Sequence, residues 1–213
     1  MNDIEKLING YKRFLSQDFE KQKKLYHNLS EEGQSPKILI ISCCDSRVHP
    51  EQIMDTKPGD IFVIRNVANL VPVNKPDGKS HGTSAAVEFA VKHLKVRHII
   101  VLGHSQCGGI KALMEGEHPG DGYGFVDPWM GIAKNAREKV LKEHKDKPFD
   151  EQCSYCEKAS IEISLNNLLT FSWIKEKRDS DKLTLHGWYF DIKTGSLSWE
   201  HDGQSLSIED YVI

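Results

Sequence analysis

ISCCDSRVHP, residues 41–50, closes an unbroken apolar run, Ile38-Leu39-Ile40-Ile41, and sets two thiols, a carboxylate and a guanidinium in five positions from Cys43 to Arg47. The run predicts a strand buried on both faces. Its end raises a choice. Free cysteine is among the most buried residue types and Asp-Ser is ordinary turn material, so packing alone would account for these residues. A reactive site at a strand end would account for them too.

Working outward, 213 residues suit a single α/β unit with helical additions over 1–213, divided into a helical arm at 1–30 and an α/β core at 31–213. Lys plus Arg number 28 against 31 Asp plus Glu, a balance that leaves no electrostatic footprint for nucleic acid or an anionic membrane. No apolar run approaches ~20 residues, and Met1 to Lys6 lacks the basic-then-apolar order of a signal peptide. The expectation is a soluble, cytoplasmic protein. Five cysteines, Cys43, Cys44, Cys107, Cys153 and Cys156, are an odd number beside apolar segments, which favours metal or thiol chemistry over disulfides.

Residues 2–28 have helical spacing, with Ile4, Leu7, Ile8, Tyr11, Leu15, Phe19 and Leu25 among Lys, Glu and Gln. This amphipathic arm needs an apolar surface from its own core or from a second subunit. Apolar strands are predicted at 37–42, 60–65 and 97–103, with a helix at Thr83 to Leu94 presenting Ala86, Phe89, Ala90 and Leu94 on one face. Continuous rather than alternating apolar strands point to a mostly parallel central sheet with flanking helices. Further helices are expected at 109–115, 128–145 and 150–170, and Gly116 to Gly124 reads as a mobile loop. Leu183 to Asp191 and Leu197 to His201, around Lys193-Thr194-Gly195, read as a hairpin on the sheet edge.

A second unusual stretch, GHSQCGG at 103–109, follows the strand Ile99-Ile100-Val101-Leu102. Cys43 and His104 therefore both lie at carboxyl ends of apolar strands, where open α/β sheets bind ligands. His104 and Cys107 are three apart, a spacing that one helical turn brings round a single ion, and Gly108 and Gly109 admit backbone close by. With Cys43 the set is Cys2His, the ligand count of a catalytic zinc site, its fourth position open or filled by Asp45.

C-x-D-S-R at Cys43 to Arg47, RNVANLV at Arg65 to Val71 and H-x-x-C-G-G at His104 to Gly109 resemble the β-class carbonic anhydrases. AVKHLKV (90–96), GGIKALM (108–114), CEKASI (156–161) and LNNLLTF (165–171) are most similar to the plant-type branch. The resemblance implies reversible hydration of carbon dioxide to bicarbonate and a proton through zinc-bound hydroxide, one zinc per subunit, and a homodimer or an assembly of dimers. It also implies that Asp45 orients the hydroxide, that Arg47 keeps Asp45 ionised and off the metal, and that Asp45 becomes the fourth ligand in a closed state. Phe62, Val67 and Gly108 would line the carbon dioxide side, and Gln34 would donate an amide hydrogen bond to substrate across the dimer interface. His93 stands where plant-type relatives have a proton-relay histidine, but the tyrosine accompanying it there is Phe89 here. Relatives with an inhibitory bicarbonate pocket carry a tryptophan and a tyrosine where this chain has Ile40 and Phe190, with Tyr189 on the opposite strand face, so no such closure is expected.

Two other readings of the same residues are a non-catalytic zinc protein, in which Asp45 closes a structural tetrahedron, and the same scaffold hydrolysing carbon disulfide or carbonyl sulfide. Arg47, Gln34 and the glycines argue against the first. Cys153-Ser-Tyr-Cys156 has half a zinc site's spacing but lies in a helical stretch without a second pair, and reads as core. Cys44 is expected to be packed, Pro50 to open a helix, and His186 and His201 have no partner visible in sequence. Plant-type relatives include organellar enzymes, so an organelle is compatible with a chain whose transit segment has been removed.

Overall fold

The structure is a computed structural model that describes residues 2–116, 124–201 and 204–210. An arm of α1 (Asp3–Arg13), a π-helical segment (Phe14–Phe19) and α2 (Glu20–Glu32) leads to β1 (Ile38–Cys43). Short α3 (Pro50–Ile53), with Pro50 in its first turn, precedes β2 (Ile61–Asn66). Then α4 (Gly82–Glu88) and a π segment (Phe89–Leu94) lead to β3 (His98–His104). Four helices, α5 (Gly108–Glu115), α6 (Val126–Met130), α7 (Lys134–Glu143) and α8 (Phe149–Leu168), precede α9 (Ser172–Asp179). The chain then forms β4 (Thr184–Phe190), β5 (Leu197–His201) and β6 (Gln204–Ser207).

The six strands form one sheet in the order β2-β1-β3-β4-β5-β6, parallel from β2 to β4 and antiparallel thereafter. The two inner strands β1 and β3 are apolar along most of their length because both of their faces are covered. Leu39, Ile41, Ile99 and Val101 face Val87, Val91, Ile161 and Leu168, whereas Ile40, Ile100 and Leu102 face Val48 on the other side. A slip of one residue would exchange the two sets, so register is fixed by side chains worth roughly 1.5–3 kcal/mol each on burial.

Several expectations change. The hairpin of β4 and β5 forms, but β6 lies beyond it and is the true edge; its Gln-Ser-Leu-Ser sequence is too short and polar to announce a strand. The helix expected over 128–145 is divided by a 3-10 turn at Gly131–Ala133. Phe89 is exposed, stacked between Phe62 and His93, instead of facing the core. Cys44 is also exposed, because it is the first residue past β1 and alternates away from buried Cys43. Its backbone N–H still donates to the carbonyl of Asn66 at 2.8 Å. Most of the loop expected at Gly116 to Gly124 lies outside the described residues.

The first half of the arm does not use its own core: Ile4, Leu7, Tyr11 and Leu15 are exposed, while Phe14, Phe19 and Tyr26 meet one another in tilted and edge-on contacts and Leu29 of α2 reaches Gly59. His186 acquires a partner, since the Thr184 hydroxyl lies 2.6 Å from its Nε2 and 2.7 Å from Nδ1 of His98. Cys153 and Cys156 are buried, and Ile40 and Phe190 pack in one apolar cluster.

Helix α8 crosses the sheet where β3 and β4 have glycines. A Cβ on Gly187 would come within 2.8 Å of Ile161 Cγ2 and 3.2 Å of the Glu200 carbonyl oxygen. Gly187→Ala is expected to cost about 1–3 kcal/mol in urea unfolding; wild-type stability in that variant would mean that the contact is not tight.

Candidate metal centre

Parallel pairing of β1 with β3 sets Ser42 opposite Leu102, so Cys43 and His104 emerge at neighbouring strand ends. Cys107 follows as the N-cap of α5, where backbone N–H groups favour a thiolate. The two sulfurs and a ring nitrogen of His104 lie within 4.8 Å of one another, and all three residues are buried.

The donor set fits a metal ion on the state of each atom. His104 Nδ1 lies 2.8 Å from the Ser105 carbonyl, to which it can donate, leaving the Nε2 lone pair free. Nε2 is buried without a hydrogen-bond partner, which an ion would remedy. Hydrogen bonding from Cys107 pulls the Cys43 thiol well below its usual pKa, and the same interaction pushes Cys107 up. Burial lowers the His104 pKa, but the neighbouring Cys43 sulfur outweighs it and the net direction is upward. Cys43 Sγ also accepts the Ala68 N–H at 3.4 Å.

Asp45 stands outside this cluster. Its Oδ1 accepts from Arg47 Nε at 3.0 Å and from the Arg47 backbone N–H at 2.9 Å, while Oδ2 accepts from Nη2 at 2.8 Å. This two-pronged grip is the main reason the Asp45 carboxyl is held well below the usual carboxylate range. Arg47 Nη2 additionally donates to the Gln106 carbonyl at 3.0 Å, tying the loop after β1 to the loop after β3.

Val67 and Gly108 adjoin the cluster. Val67 begins the turn after β2, whose last residue pairs with Cys43, and Gly108 follows Cys107 with open space where a side chain would be. Gln34, Phe62 and His93 are elsewhere. Gln34 is exposed before the start of β1, and Phe62 pairs with Leu39, four residues from Cys43, or about 13 Å along the strand. His93 is exposed and stacks on Phe89 at 5.2 Å between ring centroids.

Two residues that carry the site were not singled out from sequence. Arg65 donates through Nε to the Cys43 carbonyl at 3.0 Å and through Nη2 to those of Asp45 and Val48 at 2.7 Å each, fixing the loop that bears Asp45 and Arg47. Glu157, on α8 and buried, accepts the Cys107 N–H at 2.8 Å and the Tyr189 hydroxyl at 2.8 Å. Burial raises its pKa against those hydrogen bonds. The signal for Glu157 was present: Cys153, Cys156, Ser160 and Ile161 at helical spacing place it on the buried face.

A family model described as carbonic anhydrase matches residues 38–197, a span holding all three donors. The chain belongs to the β-carbonic anhydrase family. It is 46% identical over 167 residues to "Beta carbonic anhydrase 5, chloroplastic" of Arabidopsis thaliana, a match covering 78% of this chain and 54% of the relative. The chain thus spans about half the length of that relative. Among solved structures, the β-carbonic anhydrase CcaA superposes with a TM-score of 0.90 at 31% identity, covering 97% of this chain and all of that one. A structure from Sordaria macrospora, described as tetrameric, gives 0.81 at 29% identity, covering 97% and 100%.

Gly109 marks how closely α5 approaches the turn after β2. A Cβ there would lie 2.8 Å from Val67 Cγ1, 3.2 Å from Met130 Sδ and 3.3 Å from Ala68 Cβ. Gly109→Ala is expected to displace Cys107 and weaken divalent-metal affinity about tenfold or more, measured by metal titration; unchanged affinity would show that the approach is not needed.

Proposed function

We propose that this chain catalyses the reversible hydration of carbon dioxide to bicarbonate and a proton, with one zinc ion per subunit held by Cys43, His104 and Cys107. The observation that carries this reading is a buried Cys2His cluster with Asp45 held beside it by Arg47. Two thiolates and an imidazole match zinc's preference, and three protein ligands leave a position for reactant. Zinc in such a site supplies Lewis acidity that brings the pKa of water from 15.7 toward about 7.

The chain's own residues do the rest. Asp45, kept ionised by Arg47, accepts a hydrogen bond from the nucleophile's remaining proton and leaves a lone pair facing carbon dioxide. Arg47 also keeps Asp45 from moving in as a fourth ligand, the arrangement that would make a closed structural site. Val67 and the bare backbone at Gly108 give the substrate an apolar wall, appropriate for a nonpolar molecule that becomes charged only on reaction.

A homodimer, or an assembly of dimers, accounts for what one chain leaves unused. Gln34, Phe62 and His93 stand far from their own metal ligands, which supports their serving the site of a second copy. There Gln34 would donate to a substrate oxygen, Phe62 would line the pocket, and His93 would pass the released proton to solvent. Phe89 offers no hydroxyl beside His93, so that transfer runs through the imidazole alone. The exposed apolar face of α1 supports the same assembly, since it needs a covering surface.

In stopped-flow hydration assays on zinc-loaded protein, activity is expected to rise with pH. Asp45→Asn is expected to retain zinc and lose at least about a hundredfold in turnover; full activity in that variant would remove Asp45 from the mechanism. Mixing Gln34→Leu chains with Asp45→Asn chains tests the shared site. Refolded together, they are expected to recover activity that neither has alone, because one of the two sites in a mixed dimer is intact; no recovery would confine each site to one chain.

A further inference from the structure

The turn between His104 and α5 is strained and held from two sides. Gln106 has a φ of +57°, a left-handed conformation costing a residue with a side chain about 1 kcal/mol or more. The peptide joining Gln106 to Cys107 nevertheless has one orientation, because both of its polar groups are taken. Its carbonyl accepts from Arg47 Nη2 at 3.0 Å, and its N–H donates to Glu157 Oε1 at 2.8 Å. Glu157 cannot swing away, since its second oxygen accepts the Tyr189 hydroxyl at 2.8 Å and both residues are buried.

These contacts join in series. Tyr189 on β4 fixes Glu157 on α8, Glu157 fixes the peptide that carries Cys107, and the other side of that peptide steadies the guanidinium that grips Asp45. Glu157 offers both of its oxygens as acceptors, so neither buried donor is left unpaired. Burying a polar side chain in α8 is costly unless its hydrogen bonds are made. Its two bonds go to a residue with a ligating sulfur and to the tyrosine that steadies it.

We infer that Glu157 is a positioning residue of the metal centre: with Tyr189 behind it, it sets the Gln106–Cys107 peptide so that the Cys107 sulfur is aimed before any ion arrives. This rests on the metal-site reading above and adds a residue that touches neither ion nor substrate. Such outer partners typically change metal affinity 10–100-fold when removed.

The test is equilibrium competition for zinc between the protein and a chromophoric chelator near neutral pH, at a temperature where circular dichroism shows each metal-free protein folded. A folded protein's affinity does not report its global stability, so a purely structural role would leave this readout unmoved. Glu157→Leu keeps the volume and removes both acceptors; it is expected to weaken zinc binding about tenfold to a hundredfold. Glu157→Gln can still accept the Cys107 N–H and donate to the Tyr189 oxygen, and is expected to stay within about threefold of wild type. Wild-type affinity in Glu157→Leu, or equal loss in Glu157→Gln, would overturn the assignment. Should metal-free Glu157→Leu fail to fold, Tyr189→Phe decides: a loss of about threefold or more supports the chain of contacts, and unchanged affinity overturns it. Absence of zinc binding by the wild type would instead overturn the metal site itself.

Discussion

The parallel pairing of β1 and β3 is the constraint on which the rest depends. It brings together two loops that are far apart in sequence and delivers Cys43 and His104 side by side, with Cys107 one turn further on. Parallel strands require crossover connections, and the helices that supply them cover both faces of the sheet. The apolar run Ile38 to Ile41 and the chemistry that follows it are therefore one design. The run exists to be buried on both sides, and burial continues through Cys43 before the chain surfaces at Cys44.

Much of this was legible in sequence because the governing signals are local. Continuous apolar strands, a thiol and an imidazole at two strand ends, and a carboxylate two positions from a guanidinium each declare themselves within a few residues. What was not legible depends on long-range contact or on weak patterning. Strand β6 has too little apolar content to stand out, and the π-helical segments leave no periodic trace. Cys44 was misjudged because alternation tells which way a side chain points, not whether anything covers it. Helical spacing puts Glu157 on the buried face of α8, but its role appears only when its partner, fifty positions earlier, is seen beside it.

Two ends of the molecule divide the work. At the carboxyl ends of β1 and β3 the chain gathers three donors that could hold a metal ion, with their own supporting hydrogen bonds. Toward the opposite end it leaves Phe62, Phe89 and His93 as a stacked, half-exposed group and Gln34 as a free amide. Resemblance implied a place for Phe62 in the substrate pocket, a hydrogen bond from Gln34 across a dimer interface, and a proton relay at His93. Strand length separates them within one chain, and a second copy is the economical way to reunite them.

The two cysteines of α8 have a bearing on which sulfurs a metal ion meets. Burial lifts Cys153 to about 11 and Cys156 to about 12, and a thiol that keeps its proton is a poor ligand. The Cys44 thiol is raised as well. Of the five cysteines, Cys43 alone is pulled below its usual range, and it shares its hydrogen bond with Cys107 beside the His104 ring, so two sulfurs there already hold one proton between them. Choice among sulfurs is thus set by neighbours: Cys153 and Cys156 lie buried in a helix away from the imidazole, and Cys44 points out to solvent.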